Sequence, residues 1–147
     1  MGVAAVLVLA GSLAGAAQDK GYWRAASSNA EAITGDLEVS GSKVTINLSA
    51  YTIADIRKLT PVEVAAAFDA DVNGVRGGEL YRLRVPADKR FLHHNTLCGS
   101  DDTQWLATYV EGNTLQVVFF SGDDMPVFTP DALANSSSLC GAYTYVR

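Results

Sequence analysis

The sequence predicts a mainly β fold: a small antiparallel β-barrel or half-closed sandwich, with one short helix over about 60–68 and one disulfide. Three observations carry that expectation. Apolar and polar residues alternate with a period of two in several short runs. Gly-containing pairs separate those runs at hairpin spacing. A single run changes to a helical rhythm, directly behind a capping signature.

The chain opens with a leader. From Val3 to Ala17 the residues are almost wholly small and apolar, centred on Val6-Leu7-Val8-Leu9-Ala10, and Ala14-Gly15-Ala16 supplies an A-x-A cleavage site. The run falls short of the roughly 20 residues that a membrane-spanning helix needs. The expectation is a cleaved signal peptide at residues 1–17, delivery to the periplasm or beyond the cell, and a single β-rich domain over 18–147. No Lys or Arg precedes the apolar run, and no cysteine near Ala16 offers a lipoprotein anchor.

Gly21-Tyr22-Trp23-Arg24 opens the domain as a strand. In the first hairpin Leu37 and Val39 alternate with Asp36, Glu38 and Ser40, and Val44, Ile46 and Leu48 alternate with Lys43, Thr45 and Asn47. A two-residue type II′ turn at Gly41-Ser42 sets Val39 opposite Val44 and Leu37 opposite Ile46, which gives one core face and one wet face. Thr60-Pro61-Val62-Glu63 is a capping box with proline at the first helical position. Leu59 and Val64 form its hydrophobic staple, and Val64, Ala67 and Phe68 give the stripe that lays the helix on the sheet. Tyr81, Leu83 and Val85 alternate with Arg82 and Arg84 in the next strand.

The second hairpin turns at Gly112-Asn113, pairing Val110 with Leu115, Thr108 with Val117 and Leu106 with Phe119 on one face. Tyr109 with Gln116, Ala107 with Val118 and Trp105 with Phe120 make the other. Both faces are largely apolar, so one of them lines a cavity or an interface, or the hairpin is deeply buried. A last strand covers Ala142-Tyr143-Thr144-Tyr145-Val146.

The chain has two cysteines, Cys98 and Cys140, and in an oxidising compartment they read as one disulfide. It closes a loop of about 43 residues, worth about 4 kcal/mol in the chain-entropy account. With no C-x-x-C, a structural bond is expected rather than thiol chemistry. The formal net charge is −5. That disfavours nucleic acid and anionic lipid as partners and suits a cationic one.

Phe68-Asp69-Ala70-Asp71-Val72-Asn73-Gly74, followed by Glu79, has the D-x-D-x-N-G order of an EF-hand loop. Asp69, Asp71, Asn73 and Glu79 are therefore candidate calcium ligands, oxygen donors at alternate positions suiting a hard cation. Glu79 sits at the eleventh loop position rather than the twelfth, Arg76 replaces the usual aliphatic eighth, and a strand follows instead of a second helix. An acidic helix-terminating turn accounts for the same residues. His93-His94 is the one histidine pair, and adjacent side chains on an extended segment point to opposite sides. Neither G-x-S-x-G nor H-E-x-x-H occurs, and Ser121-Gly122-Asp123-Asp124 reads as a loop. Trp23, Tyr81, Trp105, Tyr109, Tyr143 and Tyr145 read as core aromatics before they read as a binding surface.

Leu80-Tyr81-Arg82-Leu83, Phe91-Leu92-His93-His94-Asn95-Thr96-Leu97-Cys98-Gly99, Thr103-Gln104-Trp105, Val118-Phe119-Phe120-Ser121-Gly122 and Leu139-Cys140-Gly141-Ala142-Tyr143-Thr144-Tyr145 resemble a group of small exported bacterial β-rich proteins of uncharacterised function. The resemblance covers the C-terminal half. It implies a bacterial envelope protein with a Cys98–Cys140 bond and carries no catalytic residues. A fold-level similarity to the periplasmic lysozyme inhibitors rests on size, export and fold class.

The functional expectation is a non-enzymatic, monomeric exported β-domain that binds a ligand or a partner protein. A cationic hydrolase such as lysozyme is one such partner, met by the loop acids Asp101, Asp102, Asp123 and Asp124. Its alternatives are a calcium-stabilised envelope module and, less well supported, a small hydrolase.

Overall fold

The two hairpins form with the registers that the alternation dictates. Val39 faces Val44 and Leu37 faces Ile46; Val110 faces Leu115, Thr108 faces Val117 and Leu106 faces Phe119. The structure, a computed structural model, describes Gly2 and residues 18–147, so the expected signal peptide lies, but for Gly2, outside the described residues.

Nine antiparallel strands make one sheet: β1 (Gly21–Ala25), β2 (Leu37–Val39), β3 (Lys43–Ile46), β4 (Ser49–Thr52), β5 (Ala54–Leu59), β6 (Gly78–Val85), β7 (Thr103–Glu111), β8 (Thr114–Ser121) and β9 (Leu139–Val146). Their order is β4-β3-β2-β1-β9-β8-β7-β6-β5. The C-terminal strand β9 thus lies mid-sheet, between β1 and β8. The sheet is not closed by hydrogen bonds, yet its two edge strands are consecutive in the chain. Only buried Ile53 separates β4 from β5. Side chains from both halves share one core: Leu37, Val39, Val44 and Ile46 with Leu83, Leu106, Phe119 and Tyr145. The sheet therefore curls around this core as the half-closed member of the predicted pair.

The opposite face of β5–β8 is dry as well. Leu80, Trp105, Ala107, Tyr109, Val118 and Phe120 pack with Leu59, Val64, Phe68 and Phe128 in a second core. Helix α1 (Pro61–Phe68) and the segment leading to the short helix α2 (Pro130–Ala134) cover it. The second apolar face of the β7–β8 hairpin is thus intramolecular core, neither cavity nor interface. The α1 start is as expected. Thr60 Oγ1 accepts from Glu63 N, Glu63 Oε1 accepts from Thr60 N, and Asp69 ends the helix in left-handed geometry.

Two expectations need correction. Gly41 does not take the positive φ that a type II′ turn requires at its first position, although the register is the predicted one. Leu48 does not extend β3. Asn47 and Leu48 both take positive φ, 46° and 69°, and form the two-residue turn that lets Ile46 pair with Ser49. Leu48 is left 96% exposed at its tip. β4, β5, α2, a π-helical turn at Ala30–Thr34 and a 3₁₀ turn at Leu92–His94 complete the fold. β5 hides its period behind a bulge between Asp55 and Arg57 and the charged residues of an edge strand.

The Cys98–Cys140 disulfide is present and joins β9 to the loop before β7. Replacing both cysteines with Ala is expected to remove about 4 kcal/mol of unfolding free energy. Urea titration measures this, and an unchanged midpoint would show that β9 is held by its two strand partners alone.

Candidate functional site

The register places the four loop acids at one end of the β7–β8 hairpin. Thr103 pairs with Ser121, so Asp101-Asp102 enters and Asp123-Asp124 leaves beside the same rung. Three contacts fix these loops. Asp101 N donates to Cys98 O at 3.2 Å, Trp105 Nε1 donates to Gly122 O at 3.0 Å, and the disulfide anchors Cys98.

Two of the four acids are engaged within the chain. Asp102 accepts from Ala87 N at 2.8 Å and from Arg84 Nε at 3.1 Å, and these contacts hold its carboxyl below the usual range. Arg82 lies over the Trp105 ring, bonds Gln104, donates to Asp123 O and faces Asp123 Oδ1 at 3.6 Å. Arg82 and Arg84, which alternate with the apolar residues of β6, thus support the acidic loops. Asp101 and Asp124 are exposed and form no ion pair among the described residues. Met125 and Val127, 44% and 61% exposed, follow directly in the same loop. This end presents two free carboxylates beside apolar surface on a pinned backbone.

The EF-hand-like residues are not brought together. Asp69 is the α1 C-cap, and Asp71 Oδ1 accepts from Asn73 N at 3.0 Å in an Asx turn. Glu79 belongs to β6 and faces Asp55 and Asp19 instead. Among the described residues no three His, Cys, Asp or Glu side chains are gathered in a way that could hold a metal ion. His93 and His94 are exposed, both at positive φ, and lie on the 3₁₀ turn rather than a strand. That turn lies by the π-helical turn: Asn95 Nδ2 donates to Ala32 O, and Leu92 packs at Gly35. All six aromatics named above are buried.

A second polar feature escaped the sequence reading. Asp19 is 2% exposed; its Oδ2 accepts from Tyr81 Oη at 2.8 Å and from Thr108 Oγ1 at 2.6 Å, while Oδ1 is buried without a partner among the described residues. Trp23 Nε1 donates to Asp19 O at 2.7 Å and fixes the backbone there. Glu79 Oε2 is likewise buried and unpartnered. Burial, then the charge and hydrogen bond of Asp55 and the charge of Asp19, push the Glu79 carboxyl up to about 7, against the opposing pull of Lys58. Burial and Asp19 also raise the Tyr81 hydroxyl. One signal was readable: Thr108 and Glu79 are polar residues in the inward-facing row that Val117 completes. For Asp19 there was none. Nearby, Gln18, Gly74, Arg76, Tyr109, Val110, Glu111 and Gly112 line a cleft of about 340 Å³.

No family model matches the chain, and no curated protein or solved structure does. No helix among the described residues is long and apolar enough to cross a membrane.

Two of the shifted carboxyls, Glu79 and Glu63, act on stability in opposite directions. Glu79 has a raised folded value, so its contribution is full below the ordinary carboxyl range and is lost as pH rises through about 7. Glu63, held down to about 2 chiefly by its paired hydrogen bonds from Arg57, contributes above the ordinary range, and that contribution is lost as pH falls toward 2. Urea midpoints should therefore fall from pH 5 to pH 8, and Glu79→Gln should flatten that fall. Parallel profiles for the two proteins would contradict it.

Proposed function

We propose that the chain is an exported, non-enzymatic β-domain that binds a partner protein through the acidic end of its β7–β8 hairpin. The observation that carries this reading is the convergence of Asp101 and Asp124, neither in an ion pair among the described residues, on one rung beside exposed Met125 and Val127. Charge on rigid loops beside apolar surface is what recognition of a basic protein requires: the charge speeds encounter and sets orientation, and the apolar groups hold the complex. The leader-like residues 1–17 and the disulfide support export, and the net charge of −5 supports a cationic partner. A cationic hydrolase such as lysozyme is the partner class we propose.

Asp102 and Asp123 are paired within the chain, Asp102 with Arg84 and the largely exposed Asp123 with Arg82, which offsets their charge. Only Asp101 and Asp124 then carry charge to the partner. Titration of residues 18–147 against a basic lysozyme at low salt is expected to show binding that weakens as salt rises. Asp101→Asn with Asp124→Asn should lower the affinity about tenfold, while Asp102→Asn should act mainly on loop order. Absence of binding at low salt removes lysozyme as the partner. Binding that the Asp101/Asp124 double variant leaves unchanged removes this surface.

A further inference from the structure

The cleft of about 340 Å³ at the far end of the β7–β8 hairpin holds two opposite charges that do not pair. Arg76 comes from the loop between α1 and β6, and Glu111 ends β7. Both are exposed, and neither is in an ion pair among the described residues, with the other or with a third group. The arginines at the opposite end of the hairpin differ, since Arg82 and Arg84 are both paired with carboxylates. The cleft also offers the Gln18 side chain, Val110 and buried Tyr109. Burial, then the charge and hydrogen bond of Glu111, raise the Tyr109 hydroxyl, which sets that carboxylate beside the ring. Phe68 packs on the same ring with centroids 5.7 Å apart, so this wall is fixed. Two glycines keep the remaining wall open. A Cβ at Gly112, where φ is 57°, would meet nothing within 4 Å, and one at Gly74 would meet only Asp71 O, at 3.7 Å.

These features select a ligand by charge. A simple anion drawn to Arg76 would also face Glu111, and a simple cation drawn to Glu111 would also face Arg76. A molecule with a carboxylate and an ammonium close together meets attraction from both. The guanidinium can donate two N–H groups to the carboxylate, and Glu111 can accept from the ammonium. The volume lies at the lower end of the roughly 300–1,000 Å³ of small-molecule sites, which suits a ligand with few heavy atoms beyond those groups. We propose that this cleft binds a small zwitterion of the α-amino acid type, with Arg76 on its carboxylate, Glu111 on its ammonium and Val110 against its side chain. Arg76, which breaks the calcium-loop pattern after α1, is the cation of this site instead. The site stands the length of β7, about 27 Å, from the acidic loops and does not rest on their partner-binding role.

Amide NMR spectra of the nitrogen-labelled chain, titrated with glycine, alanine and leucine in turn, test this. At least one of the three is expected to give saturable shifts at Gly74, Val110, Glu111 and Gly112, with a dissociation constant of about 1 mM. Acetate and methylammonium, which carry one charge each, should bind about tenfold more weakly or less. Arg76→Gln and Glu111→Gln should each lower the amino acid's affinity about tenfold. Both side chains are exposed, so the variants should keep the fold, and unchanged amide positions along β9 would verify that. No saturable shift at those four residues with any of the three amino acids at about 20 mM overturns the proposal. Acetate or methylammonium binding as tightly as the amino acid overturns the zwitterion assignment. Affinity that both substitutions leave unchanged overturns the site. Asp101 and Asp124 take no part in these measurements, so failure here is distinct from failure of the partner-binding surface.

Discussion

Both faces of the β7–β8 hairpin are apolar, and the rest of the molecule is arranged to keep both of them from water. Leu106, Val117 and Phe119 face one way; Trp105, Ala107, Val118 and Phe120 face the other. A sheet with one dry face can leave the other in solvent, but a hairpin with two needs a layer on each side. On the inner side that layer is the sheet itself. The strands β1–β4 are carried around until Leu37, Val39, Val44 and Ile46 meet the same core. On the outer side α1 and Phe128 supply it. Burying each of these side chains contributes on the order of 2 kcal/mol, far more than any surface ion pair present.

This scaffold separates two polar regions along β7. At its start, Thr103 and the disulfide-anchored loop before it carry Asp101 and Asp102, with Asp123 and Asp124 returning beside them. Further along, Thr108 opens the inner row to a buried carboxylate of Asp19, with Glu79 as its register partner on β6. The first region is charged and exposed, and its arginines are spent on its own support. The second is buried at Asp19 and half-buried at Glu79, and two of its oxygens lack donors among the described residues. Asn47, Leu48, His93 and His94, all at positive φ, mark a further strained rim around Gly35, where Leu92 and Asn47 both pack.

Much of the fold was legible in the sequence because its signals are local. Period-two alternation interrupted by Gly41-Ser42 and Gly112-Asn113 dictates register, and Thr60 with Glu63 dictates the start of α1. The illegible parts depend on distant chain. Leu48 looks like the next core residue of its run, and only the pairing of β4 with β3 turns it into a loop tip. β5 is an edge strand whose bulge and charges conceal its period. Of the candidate sites, the four loop acids could be named but not their division into two engaged and two free. That division is set by Arg82 and Arg84 across the sheet. Asp19 carried no sign of burial, because its partners lie 62 and 89 residues away. The D-x-D-x-N-G order after α1 was legible, but not that Glu79 is a β6 residue paired in register with Lys58 and Thr108.

The two-faced hairpin should be the last part of the molecule to open. Native-state hydrogen exchange resolved by residue tests this directly. The central amides of β7 and β8, from Leu106 to Thr108 and from Val117 to Phe119, should exchange only through global unfolding, with those of β4 and β5 released earlier by local opening. Hairpin amides that exchange as fast as the edge strands would contradict the account and place the stable core elsewhere.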